Sequence, residues 1–331
     1  MAELFVLGAT GHVGSEVVRV ALQRGHIVRA LVSEPEPAAR LGQLGVLVTR
    51  GDMSELPHHF EHLRRADVVV DLARARLPGR VTEAAGTRMH AERQRATASL
   101  LDALFALPES SRPLLFATSS LEALARDELG LLSHRSPLAD APSGFGRIGA
   151  PMCRQLQASG IEHVSVFLGL VYGPGNAFAT RIVPGLARGR MPIVGDGSNR
   201  LPLTSQRDAA RAIVHLAEQP RDSVRGRRYL VSDGQTTTQR ELFTHIAARL
   251  GARRPPHIPL WLGRLALGSV MVESLTLDAR VDNSALLETG FWLEHPSLRD
   301  GVPAMLAQLG YTALPPGTRP PRQRREARPQ T

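Results

Sequence analysis

Read from the first residue, apolar positions gather into a short run, Glu3–Leu7, that ends in a glycine-rich turn. From Ser15 to Gln23 the apolar residues Val17, Val18, Val20, Ala21 and Leu22 share one side of a helix, and Gly25 stops it before a second apolar run, His26–Val32. Strand, turn, helix and strand within about 30 residues make a βαβ unit. Further runs that read as buried strands lie at Gly45–Thr49, Asp67–Leu72, Pro113–Thr118, Glu162–Leu168 and Arg228–Val231, with helical patterns between most of them. This alternation predicts an α/β fold of Rossmann type, a doubly wound parallel sheet with both faces covered.

The alternation breaks twice. Short Gly- and Pro-rich elements run from Gly173 through Pro202, and a second departure starts near Gly234, with a helix over Gln239–Leu250 and a proline-led helix within Pro255–Leu267. The expected organisation is therefore a dinucleotide-binding domain over 1–172 and 203–233, and a smaller C-terminal substrate lobe over 173–202 and 234–313. Residues 314–331, with five prolines and five arginines, read as an extended tail.

Composition changes this picture in three ways. No apolar run approaches the roughly 18 residues of a membrane span, so no membrane partner is expected. The single cysteine, Cys153, and a start without a basic, cleavable leader point to a reducing cytoplasm. The formal charge of +9 comes in good part from the tail, where Arg319–Arg328 holds five arginines against one glutamate. With aromatic residues at 4% and no arginine–aromatic stripe, nucleic acid is not expected as a partner. All 40 residues of the Lys+Arg class are arginine, so no lysine can act in this protein. His58 and His62 share one helix face, but two ligands make no zinc site and no metal is expected.

The turn Gly8-Ala9-Thr10-Gly11-His12-Val13-Gly14 spaces three glycines after a strand and before a helix. Glycine serves where the chain turns sharply or approaches a pyrophosphate, and the helix N-terminus then offers free N–H groups to the anion. A nicotinamide dinucleotide is the expected cofactor. At the end of the second strand Val32-Ser33 supplies neither an acid for a ribose 2′-hydroxyl nor an arginine for a 2′-phosphate. Ser33, with Arg40 or Arg74 reaching in, favours NADP(H), with NAD(H) as the alternative. Asp52, in Gly51-Asp52-Met53, suits either an adenine edge or a turn cap, and Leu72-Ala73-Arg74 is expected beside the nicotinamide ribose.

Gly8–Gly14, Gly51-Asp52, Thr118-Ser119-Ser120, Val171-Tyr172-Gly173-Pro174-Gly175, Gly195-Asp196-Gly197 and Asp208-Ala209-Ala210 together resemble the extended short-chain dehydrogenase/reductases, over nearly the whole chain to about Tyr311. That resemblance implies a serine that orients a carbonyl, a tyrosine that protonates the alkoxide, and a lysine four residues on that lowers the tyrosine pKa and holds the ribose. It places Ser120, with Ser119 beside it, at the serine position and Thr118 and Leu168 at the coenzyme-facing strand ends. It also shows what is missing, because Phe145 stands at the tyrosine position and Gly149 at the lysine position.

The chain thus resembles an atypical branch of the family, one that reduces angucyclinone polyketides. The expected function is an NAD(P)H-dependent ketoreductase of a flat aromatic ketone or quinone whose own neighbouring hydroxyl passes the proton. Leu121 and the leucines up to Pro142 would either form part of a lid or simply pack the loop to the sheet, Phe145 would add an aromatic wall, and His134 would be a further proton source or a solvated surface residue. The alternative is a dinucleotide-binding sensor that turns nothing over. Oligomeric state is left open.

Overall fold

The computed structural model describes residues 1–75 and 78–312, so the tail expected at 314–331 lies outside the described residues. Seven strands form one sheet: β1 (Glu3–Leu7), β2 (Ile27–Val32), β3 (Leu47–Arg50), β4 (Val68–Asp71), β5 (Leu114–Ser120), β6 (His163–Leu168) and β7 (Arg228–Val231). Their order is β7-β6-β5-β4-β1-β2-β3, and every neighbouring pair is parallel. Between β1 and β4 the order reverses, which opens a crevice at the C-terminal strand ends.

Both faces of this sheet are covered, which is why its strands read as continuous apolar runs and not as alternating ones. Leu4 and Val6 of β1 point into one core, with α1 (His12–Gln23), α2 (Pro35–Gln43) and α5 (Gln206–Ala217); Phe5 and Leu7 point into the other, with α3 (Glu83–Phe105) and α4 (Gly146–Ser159). A third core gathers Tyr172, Phe178, Leu186, Leu203, Phe243 and Leu306 from the second half of the chain, with α6 (Gln239–Arg249) and α9 (Leu298–Gln308) around it. Here the proline-led segment differs from expectation: His257–Ile258 first pairs as a strand with Ile193–Val194, and only then do α7 (Leu260–Leu267) and α8 (Ser269–Leu275) follow.

Among the polar interactions buried inside this apolar frame, one ties the sheet to a helix beside the crevice. Asp71, at the end of β4, is 1% exposed and Arg93, in the middle of α3, is 5% exposed. They pair bidentately, through Nη1–Oδ1 at 3.1 Å and a second Nη2–Oδ2 contact, and Arg93 also donates to the Ala73 carbonyl at 2.8 Å. Removing one partner of such a pair strands a charge away from water. Asp71→Ala is therefore expected to lose about 3–5 kcal/mol of stability in urea unfolding. The double variant Asp71→Leu, Arg93→Met is expected to recover most of that loss; equal losses in both variants would mean that the pair matters by packing alone.

Candidate active site

The crevice begins at the glycine turn. Gly8 has φ +80°, and a Cβ there would lie 2.7 Å from the Leu72 carbonyl carbon and oxygen, so the turn after β1 sits directly on the segment after β4. Gly14 is the point of closest approach, since a Cβ on it would stand 2.0 Å from the Gly8 carbonyl oxygen. Thr10 and Gly11 are exposed to the crevice, and Val13 packs on the core beneath. At the start of α1, the N-cap Gly11 contributes no side-chain hydrogen bond and the first turn carries no acid. An uncapped, acid-free N-terminus at a surface that only glycine allows is what a pyrophosphate needs, so the residues fit the expected dinucleotide.

His12, within this turn, is held from another direction. Nδ1 lies 2.5 Å from the Pro174 carbonyl and Nε2 lies 3.0 Å from Asn176 Nδ2, while Gln206 bonds the His12 carbonyl. The carbonyl requires a proton on Nδ1 and the amide N–H requires a lone pair on Nε2, so the ring is neutral. Burial pushes its pKa down to about 4, against a smaller upward pull from the Pro174 carbonyl. Both ring nitrogens thus serve the turn at 173–176.

On the β2–β3 side Ser33 is exposed at the strand end, and Arg50, at the end of β3, donates to the Ser33 carbonyl at 3.0 Å. Arg40 instead pairs with Glu36 one helical turn away, both well exposed. Asp52 takes the cap role of its two expected ones. It caps the turn Met53–His59 in a reciprocal box with Glu55, and Ser54 holds its carboxylate below the usual range. The Met53 carbonyl accepts from Ser99 at 2.6 Å.

On the β4–β5 side lie the expected catalytic positions. Thr118 is buried and donates to the Asp71 carbonyl at 2.7 Å; Leu168 ends β6 alongside Ser120. Ser119 is 4% exposed, and its Oγ has the Cys153 thiol beside it but no partner at proper hydrogen-bonding geometry. A Cβ at Gly149 would stand 2.3 Å from that oxygen, so any larger residue collides with the Ser119 hydroxyl. Ser120 is half-buried and accepts from the Glu122 N–H at 3.2 Å. Phe145 begins α4 with its ring half-buried.

Sequence reasoning passed over two residues, one at each end of the crevice. At the β4–β5 end the Glu122 carboxylate accepts from the Phe145 N–H at 2.6 Å and from Ser274 Oγ at 2.9 Å. Burial raises its pKa to about 7 even though these hydrogen bonds favour the ionised form. Arg50, beside Ser33 at the β2–β3 end, is the other. Neither sits in a recognisable motif; Glu122 is tied to the start of α4 and to α8 by contacts far apart in the chain.

The segment after β5 behaves differently from a lid. Leu121, Leu124 and Leu132 are at most 4% exposed and belong to the core under α4, Leu131–Leu132 pairs with Arg280–Val281, and Leu129 is 72% exposed. A cavity of about 80 Å³ lies between Leu121, Glu122, Leu132, Pro142 and Leu277. His134 carries a buried Nδ1 without a partner, and its charged neighbour is Asp282 beside that same pairing. Tyr172, a candidate to replace the missing phenol only if it reached the crevice, is 1% exposed within the third core, and a Cβ on Gly301 would overlap its hydroxyl.

Residues 4–232 match the NAD dependent epimerase/dehydratase family. Among curated proteins, the chain is 27% identical to the 2-alkyl-3-oxoalkanoate reductase of Stenotrophomonas maltophilia, over 76% of this chain and 77% of that one. It is 20% identical to isoflavone reductase homolog P3 of Arabidopsis thaliana over 78% of each. Among solved structures, human epimerase family protein SDR39U1 with NADPH superposes with a TM-score of 0.74 at 18% identity, covering 92% of this chain and 99% of the other. UDP-glucose 4-epimerase of Thermotoga maritima, with UDP-glucose, gives a TM-score of 0.74 at 17% identity, covering 93% and 98%.

The neutral His12 has a consequence for pH. Its folded pKa lies below the value of 6.5 for an unperturbed imidazole, so its contribution to stability is complete above 6.5 and is lost as pH falls toward about 4. Denaturant unfolding of wild type and His12→Asn at a series of pH values is expected to show the two converging as pH falls through this window. A constant difference from neutral to acid would contradict the buried neutral ring.

Proposed function

The chain belongs to the NAD-dependent epimerase/dehydratase family, and from that premise we propose that it is an NADP(H)-dependent ketoreductase of an aromatic, angucyclinone-like polyketide ketone, with the proton supplied by the substrate. One observation carries this reading. At the start of α4, beside Ser119 and Ser120, the family's tyrosine and lysine positions hold Phe145 and Gly149, and the chain contains no lysine to replace the latter.

The residues divide the work as follows. The glycine turn and the N-terminus of α1 would hold the pyrophosphate, and Ser33 with Arg50 would receive a 2′-phosphate, which favours NADP(H) over NAD(H). When bound, the coenzyme supplies the hydride. Ser120 would orient the ketone oxygen, with the unpartnered Ser119 hydroxyl next to it. Phe145 offers a ring face to a flat substrate where a phenol would otherwise stand. The name of one curated relative, a 2-alkyl-3-oxoalkanoate reductase, supports carbonyl reduction as the reaction class.

A missing general acid costs roughly 10²–10⁴ in rate, or about 3–5 kcal/mol of barrier. A ketone flanked by an acidic hydroxyl brings its own donor within hydrogen-bond reach, and the resulting anion is delocalised over the ring. A second proton source is favoured by position: the Glu122 carboxyl lies beside Ser120 and Phe145, with a pKa raised to about 7.

The test uses purified protein, NADPH, and a panel of hydroxyaryl ketones, polycyclic quinones and 3-oxo acids. Hydroxyaryl ketones are expected to consume the reduced nicotinamide only when protein is present, and O-methylation of the neighbouring hydroxyl is expected to slow them by about 10²-fold or more. Glu122→Gln is expected to leave the rate within an order of magnitude; a fall of about 10²–10⁴ would transfer the donor role to Glu122. Restoring the phenol as Phe145→Tyr is expected to bring no gain. Tight coenzyme binding without turnover across the panel would overturn the reductase in favour of a silent dinucleotide sensor.

A further inference from the structure

Loss of the lysine removes a positive charge as well as a partner for tyrosine, and the structure contains a cation close to the vacated place. Arg74 follows β4, and its Nη2 donates to the Thr118 carbonyl, with Thr118 Oγ1 at 3.2 Å, while Nη1 donates to the Ala73 carbonyl at 3.1 Å. These contacts lay the guanidinium over the end of β5, facing the α4 surface that carries Cys153 one turn beyond Gly149. Gly149 cannot regain a side chain without displacing Ser119. A cation at this end must therefore come from another element.

Three features leave Arg74 available. Its acidic neighbour Asp71 is already saturated by Arg93 through both carboxylate oxygens. Among the described residues Arg74 pairs with no carboxylate; its partners are carbonyl and hydroxyl oxygens, and the residue is exposed. Removal from water and the neighbouring Arg93 push its pKa down only to about 10, and its exposure to solvent blunts even that, so it is charged at neutral pH.

Position then selects the ligand. The sheet order puts β5 three strands from β2, roughly 14 Å at the usual strand spacing. Arg74 thus lies far from Ser33 and cannot serve a 2′-phosphate there, which corrects that part of the sequence reading. It lies on the nicotinamide side of the switch point, where the acceptors of a dinucleotide are the hydroxyls of the second ribose.

Resting on the coenzyme assignment above, we infer that Arg74 takes over the ribose-holding role of the absent lysine, fixing the nicotinamide ribose through its hydroxyls from β4 instead of from α4.

ADP-ribose carries that distal ribose and ADP lacks it, so calorimetric titration of both, and of NADPH, into wild type and variant reads the contact without turnover, the extra charge of the terminal phosphate of ADP being common to both proteins. Wild type is expected to bind ADP-ribose more tightly than ADP. Arg74→Ala is expected to weaken ADP-ribose and NADPH by about tenfold or more, the worth of a charge-assisted hydrogen bond, and to leave ADP unchanged. Arg74→Lys is expected to restore part of the loss. Thermal melting of the free variants checks that the fold persists. Equal loss for ADP and ADP-ribose, or unchanged binding of all three with only a raised KM for the ketone, overturns the inference and leaves the reductase standing. Failure of wild type to bind NADPH or NADH overturns both.

Discussion

The bidentate contact between Asp71 and Arg93 sets the geometry on which the crevice depends. It anchors the end of β4 to the middle of α3, and by also holding the Ala73 carbonyl it fixes the chain direction just beyond the strand. Leu72 is thereby pressed against Gly8, and Arg74 is turned across β5. A buried ion pair is a poor source of net stability, because two desolvated charges do little better than two apolar groups of the same volume. Its value here is directional. A pair of apolar side chains would fill the same space without specifying which way the segment leaves the sheet.

Around that anchor, the site is asymmetric between its two halves. The pyrophosphate end is made of backbone, with glycines chosen for what they lack and an uncapped helix start. The β4–β5 end is made of side chains: the half-buried Phe145, Gly149 packed on Ser119, and a Ser119 hydroxyl without a hydrogen-bond partner. Leaving a buried hydroxyl unpaired is costly. Such a cost is understandable at a position where a ligand oxygen completes the bonding.

Much of the architecture was legible because its signals are local. The sheet strands are apolar runs bounded by turns, and all seven lie within two residues of the expected bounds at either end; β5 runs two residues further, through Ser119 and Ser120, whose hydroxyls give no apolar signal. The proposed replacement of the family tyrosine and lysine by Phe145 and Gly149 rests on residue identity at fixed spacing, which a single sequence displays. What escaped depends on contacts far apart in the chain. Asp71 and Arg93 lie on separate elements, Glu122 reaches across to the start of α4 and to Ser274 of α8, and His12 is claimed by a turn more than 160 residues away. The leucines after β5 left two readings open for a related reason: hydrophobicity shows that a residue will be covered and says nothing of whether protein or ligand covers it.

The link through His12 has a mechanical consequence. Its imidazole and the Gln206 amide stitch the glycine turn to the segment 173–176, which leads into the third core. Freezing one side of a stitch lowers the entropy still to be lost when the other side is ordered. On the proposed function, a dinucleotide that orders the glycine turn would through these two side chains also order the segment 173–176, so that coenzyme would prepare the site for the second ligand.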